Sequence, residues 1–417
     1  VHMTASLAAK AAARQCRSCG NQGLQPVLDL GVTALVDSLV PPDRLNGPEA
    51  KYPLQIGFCP ACSLLQTLDT VPPEEVFHPE YAYFSSFSET LLEHARRNVE
   101  QLIERERLGP QSLVVELASN DGYLLRNFVQ KGIPVLGIDP SPGPAEAARK
   151  IGVPTLCEFF GRDLAQRLVT EGKTADVVIA NNVMAHVADL NGFVAGIATI
   201  LKPGGVLVTE SPYVKDLVDH CEFDTIYHEH LCYYSVTALD NLFRRHGLYL
   251  NDIEKLSIHG GSLRSYVQKA PNPSPVVSQM LAEEKRLGID RIDYYVSFAD
   301  RVRQVREDLR RLIFDLKRQG YRIAAYGASA KGSTLLSYTD LGPDVIEFVV
   351  DRNVHKQGKY MPGLHHPIYA PEAIAERRPD YLLLLVWNIA DEVLRQQQAY
   401  RDAGGKFIIP IPSPRIV

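Results

Sequence analysis

The stretch Val114-Val-Glu-Leu-Ala-Ser-Asn-Asp-Gly-Tyr-Leu-Leu125 decides the fold. It begins as a short apolar strand, passes through a loop of small residues and resumes an apolar pattern of helical type. Such a passage lets a ligand approach the backbone at a helix N-terminus. Counted from Glu116, the positions that a Gly-x-Gly-x-Gly loop would fill read Ala118, Asn120 and Gly122. Only the last is glycine. A dinucleotide fingerprint needs its glycines for close approach of the pyrophosphate, so dinucleotide binding is disfavoured here.

Working outward, strand patterns are expected at 113–117, 134–138, 153–157, 175–180 and 205–210, each separated from the next by a segment that can be helical. This alternation implies a parallel sheet with helices on both faces. An amphipathic helix is expected over 87–108, with Leu91, Leu92, Ala95, Val99, Leu102 and Ile103 on its apolar face. Two further strands, 248–257 and 263–269, flank a turn containing His259-Gly-Gly261 and read as an antiparallel pair closing the sheet. Pro271, Pro273 and Pro275 then break the pattern, because proline continues neither a central strand nor a helix interior. A charged helix over 291–318 leads to a second alternation, with strands at 322–326, 345–350, 381–387 and 406–409 and a helix after Lys331. The expected fold class is therefore α/β. A Pro- and Cys-rich module (1–75) precedes a doubly wound domain (76–270) and a second, smaller doubly wound domain (271–417).

At 417 residues the chain is long enough for two to four domains of roughly 100–200 residues each. A net charge of −5 gives no reason to expect binding to nucleic acid or an anionic membrane. No apolar run approaches the ~20 residues of a membrane span. Val1-His-Met3 has the look of an expression remnant, and the Ala-rich stretch 7–13 runs into a CxxC rather than a cleavage site. No signal peptide is expected, and the cytoplasm is the expected compartment. The seven cysteines, an odd number, point to thiols and metal rather than disulfides. Cys16-Arg-Ser-Cys19 and Cys59-Pro-Ala-Cys62 each set two thiolates on one tight turn. Facing each other, they would make a closed, structural four-sulfur zinc site; the alternative is a pair of redox CxxC motifs.

Further polar residues fall at the ends of the expected strands. Asp139, 23 residues after Glu116, could hold ribose hydroxyls, and Glu158-Phe159 could flank an adenine. Asn181-Asn182 end the fourth strand and Leu201-Lys-Pro-Gly-Gly205 precede the fifth. In order and spacing the series resembles the motifs of class I S-adenosylmethionine methyltransferases, which implies that cofactor held by Glu116, Ala118, Asn120, Gly122, Asp139, Glu158, Phe159 and Asn182.

The densest polar cluster is Tyr227-His-Glu-His230. Its spacing is not that of a helical His-Glu-x-x-His metal site. A neutral imidazole, with an ordinary pKa of about 6.5, is a natural proton acceptor, and a carboxylate can orient it. Structural histidines at a sheet edge are the plainer reading.

The two CxxC pairs, Glu116–Gly122, Ala-Asn-Asn-Val-Met-Ala-His-Val (180–187), Tyr227–His230, His-Gly-Gly-Ser-Leu-Arg (259–264) and Tyr-Gly-Ala-Ser-Ala-Lys-Gly (326–332) occur in that order. Together, over essentially the whole chain, they resemble the sugar C-methyltransferase family of deoxysugar and antibiotic pathways. The resemblance implies methyl transfer to C-3′ of a thymidine-diphosphate-linked (dTDP-linked) 4-keto deoxysugar, with a 3-amino group in tetronitrose-type members. The reaction would pass through an enolate. Its base would be His230, with Tyr227 as rival, while Glu229, His186 and Tyr81 would position the sugar or steady the enolate oxygen. Aromatic packing at a domain junction explains Tyr81 as well. Ser86, His259, Arg264, Lys331 and Lys356 are the expected substrate contacts, with Lys359 and Arg301 as weaker phosphate candidates. A monomer is entertained as the assembly state. The alternative function is an NAD-dependent nucleotide-sugar oxidoreductase or epimerase built on the C-terminal loop, or else a zinc-bearing scaffold.

Overall fold

The structure, a computed structural model, describes residues 14–76, 85–87, 89–256 and 258–417; Tyr81 and the side chain of His259 lie outside the described residues. The Cys-rich segment forms an antiparallel meander of β1 (Gln25–Ala34), β2 (Lys51–Phe58) and β3 (Leu65–Thr67). Two register shifts in β1, at Pro26/Leu28 and Asp29/Val32, bend it.

The decisive stretch forms β4 (Val114–Leu117), a loop, and the helix Leu125–Gln130. It is followed by β5 (Val135–Ile138), β6 (Thr155–Leu156), β7 (Ala175–Asn181) and β8 (Leu201–Pro212). Then come β9 (Cys232–Tyr233), β10 (Tyr249–Leu256) and β11 (Ser262–Gln268). Seven of these form one sheet in the order β10-β11-β8-β7-β4-β5-β6, parallel from β8 to β6, with β11 antiparallel to both its neighbours. β4 and β5 are buried at every position, as strands covered on both faces must be. Alternate residues feed two cores. Val115 and Leu117 face the helices Leu190–Ile200 and Val236–Arg245, whereas Val114 and Val177 face the helix Glu89–Glu106.

Two strand lengths differ from expectation. The strand expected at 153–157 shrinks to two residues, since Pro154 has no N–H to donate. The strand at 205–210 grows because Leu201 pairs with Ala175 across a register shift that leaves Lys202 to Gly205 bulged out.

β9 leaves this domain and pairs with β3, extending the meander to β1-β2-β3-β9. The zinc-module residues Cys16, Cys59, Cys62 and Leu64 also belong to the core of the seven-stranded unit. The first two modules thus share strands and core.

A helix absent from the sequence reading, Pro275–Leu287, starts at the proline-rich break with Pro275 in its first turn, where a missing N–H costs nothing. The 27-residue helix Ile292–Arg318 leads to a six-stranded sheet. Its strands are β12 (Ile323–Tyr326), β13 (Val349–Val350), β14 (Ile368–Tyr369), β15 (Tyr381–Leu384), β16 (Lys406–Ile409) and β17 (Arg415–Ile416), ordered β14-β13-β12-β15-β16-β17. β13 is shorter than expected. β15 stops before Trp387, which begins a 3₁₀ turn.

Both α/β units use the same brace. Asp139 accepts hydrogen bonds from the amides of Asn120 (2.9 Å) and Ser141 (2.8 Å); Asp351 accepts from Ala328 and Asn353 (both 2.7 Å). In each unit the acid after the second strand ties the loop after the first to its own turn. No helix among the described residues is long and apolar enough to cross a membrane.

Candidate active site and zinc centre

The two CxxC turns close on themselves, Gly20 N donating to Cys16 O at 2.9 Å and Ser63 N to Cys59 O at 2.8 Å. They face each other. All four sulfurs lie within 4.8 Å of one another, with Cys16–Cys62 and Cys19–Cys59 at 3.5 Å. Zinc with Zn–S bonds of ~2.3 Å needs tetrahedron edges of about 3.8 Å, which these sulfurs match. The four cysteines therefore suit a structural zinc ion. The centre is also docked: Asn191 donates to Arg17 O (2.8 Å), Asn241 donates to Cys62 O (3.3 Å), and Arg245 donates to Ser18 Oγ.

The expected cofactor loop lies where the order of the seven-stranded sheet reverses, at the carboxyl ends of β4 and β7, the usual ligand crevice of such sheets. Ala118 (φ +54°), Asn120 (φ +50°) and Gly122 (φ +77°) all adopt the left-handed conformation, as does Asn182 (φ +55°) after β7. The backbone of a glycine loop is thus kept where two glycines are absent, at a cost of about 1–3 kcal/mol per strained residue. Gly122 has a second constraint: a Cβ there would lie 3.0 Å from Val153 and 3.3 Å from Ala148. Its bare Cα therefore serves internal packing, in addition to any role toward a ligand.

Around this crevice, side-chain atoms go unsatisfied among the described residues: Glu116 Oε2, Ser119 Oγ, Asp121 Oδ1, Asn181 Oδ1, Thr209 Oγ1 and Ser211 Oγ. Buried polar atoms are normally paired, so this set fits a polar ligand. Glu116, 2% exposed, is pushed well above the usual carboxylate range by burial and by Asp139, Asp121 and Glu210. Burial also raises Asp139, partly offset by the amides of Ser141 and Asn120. Ser85 and Ser86 are fastened here, their amides donating to Asn120 Oδ1 (2.9 Å) and Asp121 Oδ2 (3.1 Å). Beyond β6, Glu158 is ion-paired with Arg167 (2.6 Å), and Phe159 stands 65% exposed.

The Tyr-His-Glu-His run follows a 3₁₀ turn (Phe223–Thr225) and is stitched down by Leu231, whose N donates to Ala185 O (2.7 Å) and whose O accepts from Thr67 N (3.0 Å). Tyr227, His230 and His186 come together. The Tyr227 and His230 rings lie 4.0 Å apart between centroids, and His186 meets His230 edge-on at 4.9 Å. His230 Nδ1 lies 2.7 Å from Thr225 O. Burial lowers His186 to about 4, so it is neutral at physiological pH, and its imidazole hydrogen-bonds the Glu229 backbone. Glu229, 6% exposed, is pushed up to about 8 by burial and by Asp37. His228 follows the plainer structural reading, its Nε2 lying 3.2 Å from both the Tyr52 and Pro53 carbonyls.

Arg264, expected at a substrate phosphate, is 3% exposed and held inside the domain. Its Nε and Nη2 donate to Glu210 Oε1 at 2.9 and 2.7 Å, and its Nη1 to Gln101 (3.0 Å) and Glu254 (3.3 Å). Arg301 likewise donates to the carbonyls of Val218 and Asp219. Lys331 lies 5.2 Å over the Trp387 ring, and its charge acts on Glu222 and Asp224, which precede the Tyr-His-Glu-His run; Trp387 Nε1 donates to Asp224 at 2.6 Å. Lys356 donates to Ala328 O at 2.7 Å.

Sequence reading missed Glu210, Asp37, Asp224 and Trp387. Glu210 had a signal, an acid ending the fifth strand. Asp37 had a fainter one, an acid within the apolar run Ala34-Leu-Val-Asp-Ser-Leu-Val40.

Three family models match the chain: a "zinc binding domain" at residues 16–77, a "Methyltransferase domain" at 89–252 and a "C-methyltransferase C-terminal domain" at 257–412. The C-methyltransferase NovU of Streptomyces niveus is 36% identical over 406 residues, 97% of this chain and 96% of that protein. A ubiquinone biosynthesis O-methyltransferase of Methylobacterium sp. (strain 4-46) is 30% identical over 110 residues, 24% of this chain and 43% of that protein. Among solved structures, magnesium protoporphyrin IX methyltransferase (ChlM) from Synechocystis PCC 6803 aligns with 43% of this chain and 83% of that chain, at 18% identity and a TM-score of 0.34.

Proposed function

This chain belongs to the C-methyltransferase family of the Streptomyces niveus protein, and on that premise we propose that it methylates C-3′ of a dTDP-linked 4-keto deoxy(amino)sugar through an enolate. The cofactor, S-adenosylmethionine, supplies an electrophilic methyl group. The residues suited to holding it are the left-handed loop Ala118–Gly122 with Glu116, Asp139 and Asn182. An NAD-dependent oxidoreductase has no support beside this family membership.

Carbon becomes nucleophilic here only when the proton α to the ketone is removed, which requires a base and a donor for the developing oxyanion. The observation that carries the reading is the contact between His230 Nδ1 and Thr225 O. A carbonyl oxygen only accepts, so Nδ1 keeps its hydrogen and the basic lone pair of the neutral ring lies on Nε2. Tyr227, packed against that ring, fixes its plane. Glu229, still protonated near pH 7, is suited to donate to the enolate oxygen, in the manner of a carboxylic acid kept neutral by its surroundings. His186, neutral at the same pH, is a second polar group beside it. Lys331 and Lys356 are the candidate contacts for the nucleotide diphosphate.

The test separates proton removal from methyl transfer. His230→Asn should lower turnover by about 10²–10⁴-fold. It should equally slow exchange of the C-3′ proton into deuterated solvent without methyl donor. Tyr227→Phe should do less. Normal exchange in His230→Asn with none in Tyr227→Phe makes Tyr227 the base instead.

A further inference from the structure

The 3₁₀ turn Phe223–Thr225 supplies the carbonyl that meets His230, and the C-terminal unit fastens the chain on both sides of that carbonyl. Phe223, fully buried, meets the Tyr338 ring edge-on at 5.3 Å between centroids. Asp224, also fully buried, accepts the indole N–H of Trp387 on Oδ2 at 2.6 Å. Beyond Thr225, Ile226 O accepts from Thr334 Oγ1 at 3.4 Å. Tyr338 and Thr334 both lie on the helix Ala330–Thr339. The turn also closes on itself. Thr225 N and Oγ1 both donate to Glu222 O, at 3.1 and 2.7 Å, and Ile226 N donates to Phe223 O at 3.0 Å. A displacement of Asp224 is therefore a displacement of Thr225 O, the atom that lies 2.7 Å from His230 Nδ1.

Of these ties, the one from Trp387 is the shortest and the only one made to a charged group. Trp387 follows β15, whose neighbour β12 marks the point where the order of the six-stranded sheet reverses. Its place is set by that pairing: Leu385 N donates to Tyr326 O at 3.0 Å, and a Cβ on Gly327 would lie 2.6 Å from Val386. Lys331 covers the indole face at 5.2 Å, which leaves the N–H edge to Asp224. Burial raises Asp224 to about 6, with Lys331 and the indole opposing it. The carboxylate is therefore ionised at pH 8, and the bond is charge-assisted.

We propose that Trp387 is a positioning residue for His230: its indole N–H holds Asp224, Asp224 sets the turn, and the Thr225 carbonyl carried by that turn keeps the ring hydrogen on Nδ1 and the basic lone pair on Nε2. A neutral imidazole can carry its hydrogen on either nitrogen, and the partner of one nitrogen decides the state of the other. The C-terminal unit thus selects the tautomer of a histidine in the middle unit. The consequence for turnover rests on the methyl transfer proposed above; the tautomer does not.

The experiment uses the full-length, zinc-loaded protein with ¹⁵N-labelled histidine rings at pH 8, the His230 resonances being assigned by their loss in His230→Asn. In the wild-type protein Nδ1 should resonate as a protonated ring nitrogen and Nε2 as an unprotonated one. Trp387→Phe keeps a ring beneath Lys331 and removes the N–H. The two His230 resonances should then move toward each other as the hydrogen is shared between the nitrogens. In the same variant kcat for methyl transfer should fall by about 10- to 100-fold, the scale of a hydrogen bond to a charged group, while KM for the sugar nucleotide changes far less. Asp224→Asn keeps an acceptor for the indole and should keep the wild-type tautomer. Asp224→Leu removes the acceptor without stranding a charge and should reproduce Trp387→Phe, which keeps the test open if Trp387→Phe folds poorly. Combining Trp387→Phe with Asp224→Leu should add little to either alone, because the two residues act as one unit. His230 resonances unmoved in both single variants overturn the proposal, as does a wild-type Nδ1 without its proton. Fully additive losses of kcat in the double variant overturn it as well. If the resonances move as expected but no keto-sugar is methylated by the wild-type protein, the positioning role stands and the proposed reaction falls.

Discussion

Replacing Arg264 with methionine should damage the fold of the middle domain rather than the grip on a nucleotide. Arg264 and Glu210 are 3% and 2% exposed, and two guanidinium nitrogens converge on Glu210 Oε1. Burial alone would raise Glu210, but His94 and Arg264 more than offset it and hold the carboxyl below its usual range. Removing one member of a buried pair strands the other's charge, at a cost of about 3–5 kcal/mol. His94 Nε2, 2.8 Å from Glu210 Oε2, remains as a partner, so the lower end of that range applies. In a unit of roughly 150–250 residues each kcal/mol moves Tm by about 2–4 °C, giving a fall of at least ~6 °C. Scanning calorimetry of the zinc-loaded protein reads it. Adding Glu210→Gln to Arg264→Met should recover a substantial part of the loss, because no charge is then stranded. An unchanged Tm in Arg264→Met, with a raised KM for the sugar nucleotide, would refute this and return Arg264 to the substrate.

Zinc removal should unfold more than the first module, because Cys16, Cys59 and Cys62 belong to the core of the second. Metal analysis should find one zinc per chain, and Cys59→Ser or a strong chelator should lower the middle-domain transition; a zinc-free protein with an unchanged transition would overturn this. Glu116→Gln should flatten the pH dependence of stability. Folded Glu116 keeps its proton where the unfolded side chain, with a pKa of about 4.3, has lost it. Its contribution is complete below that value and is lost as pH rises toward the raised folded one. Urea midpoints compared at pH 5 and pH 8 should therefore fall less in the variant, and equal falls would sink the assignment.

Local signals carried the architecture. The apolar runs at β4, β5 and β7 are strands buried on both faces, so composition alone marks them. The amphipathic helix expected at 87–108 is observed at Glu89–Glu106 because its apolar stripe must cover the sheet. The loop after β4 was only half legible. Absent glycines at 118 and 120 suggested a departure from a glycine loop, whereas the backbone there adopts the glycine conformation regardless. Residue type is a weak guide where tertiary contacts hold a strained φ, and here Asp139 clamps the Asn120 amide directly. The partners of long charged side chains were illegible: nothing local in the sequence tells that Arg264 meets Glu210 and Arg301 the carbonyls ending the helix Val214–Asp219.

What no local pattern could show is that the Tyr-His-Glu-His loop is held from three modules. Trp387 hydrogen-bonds Asp224, a residue 163 positions earlier, and His228 meets the Tyr52 and Pro53 carbonyls, 176 and 175 positions earlier. The same loop ends in β9, a strand of the zinc module's sheet. Each contact joins a polar group to a partner on another module, so each is lost if the modules part. The loop bearing Tyr227 and His230, whose rings meet each other and His186, is thus tied to all three modules. Under the proposed mechanism this gives the zinc site an effect on catalysis without a catalytic position. Four sulfurs close its coordination, yet the sheet it organises carries β9, and β9 fixes the end of the loop on which His230 stands.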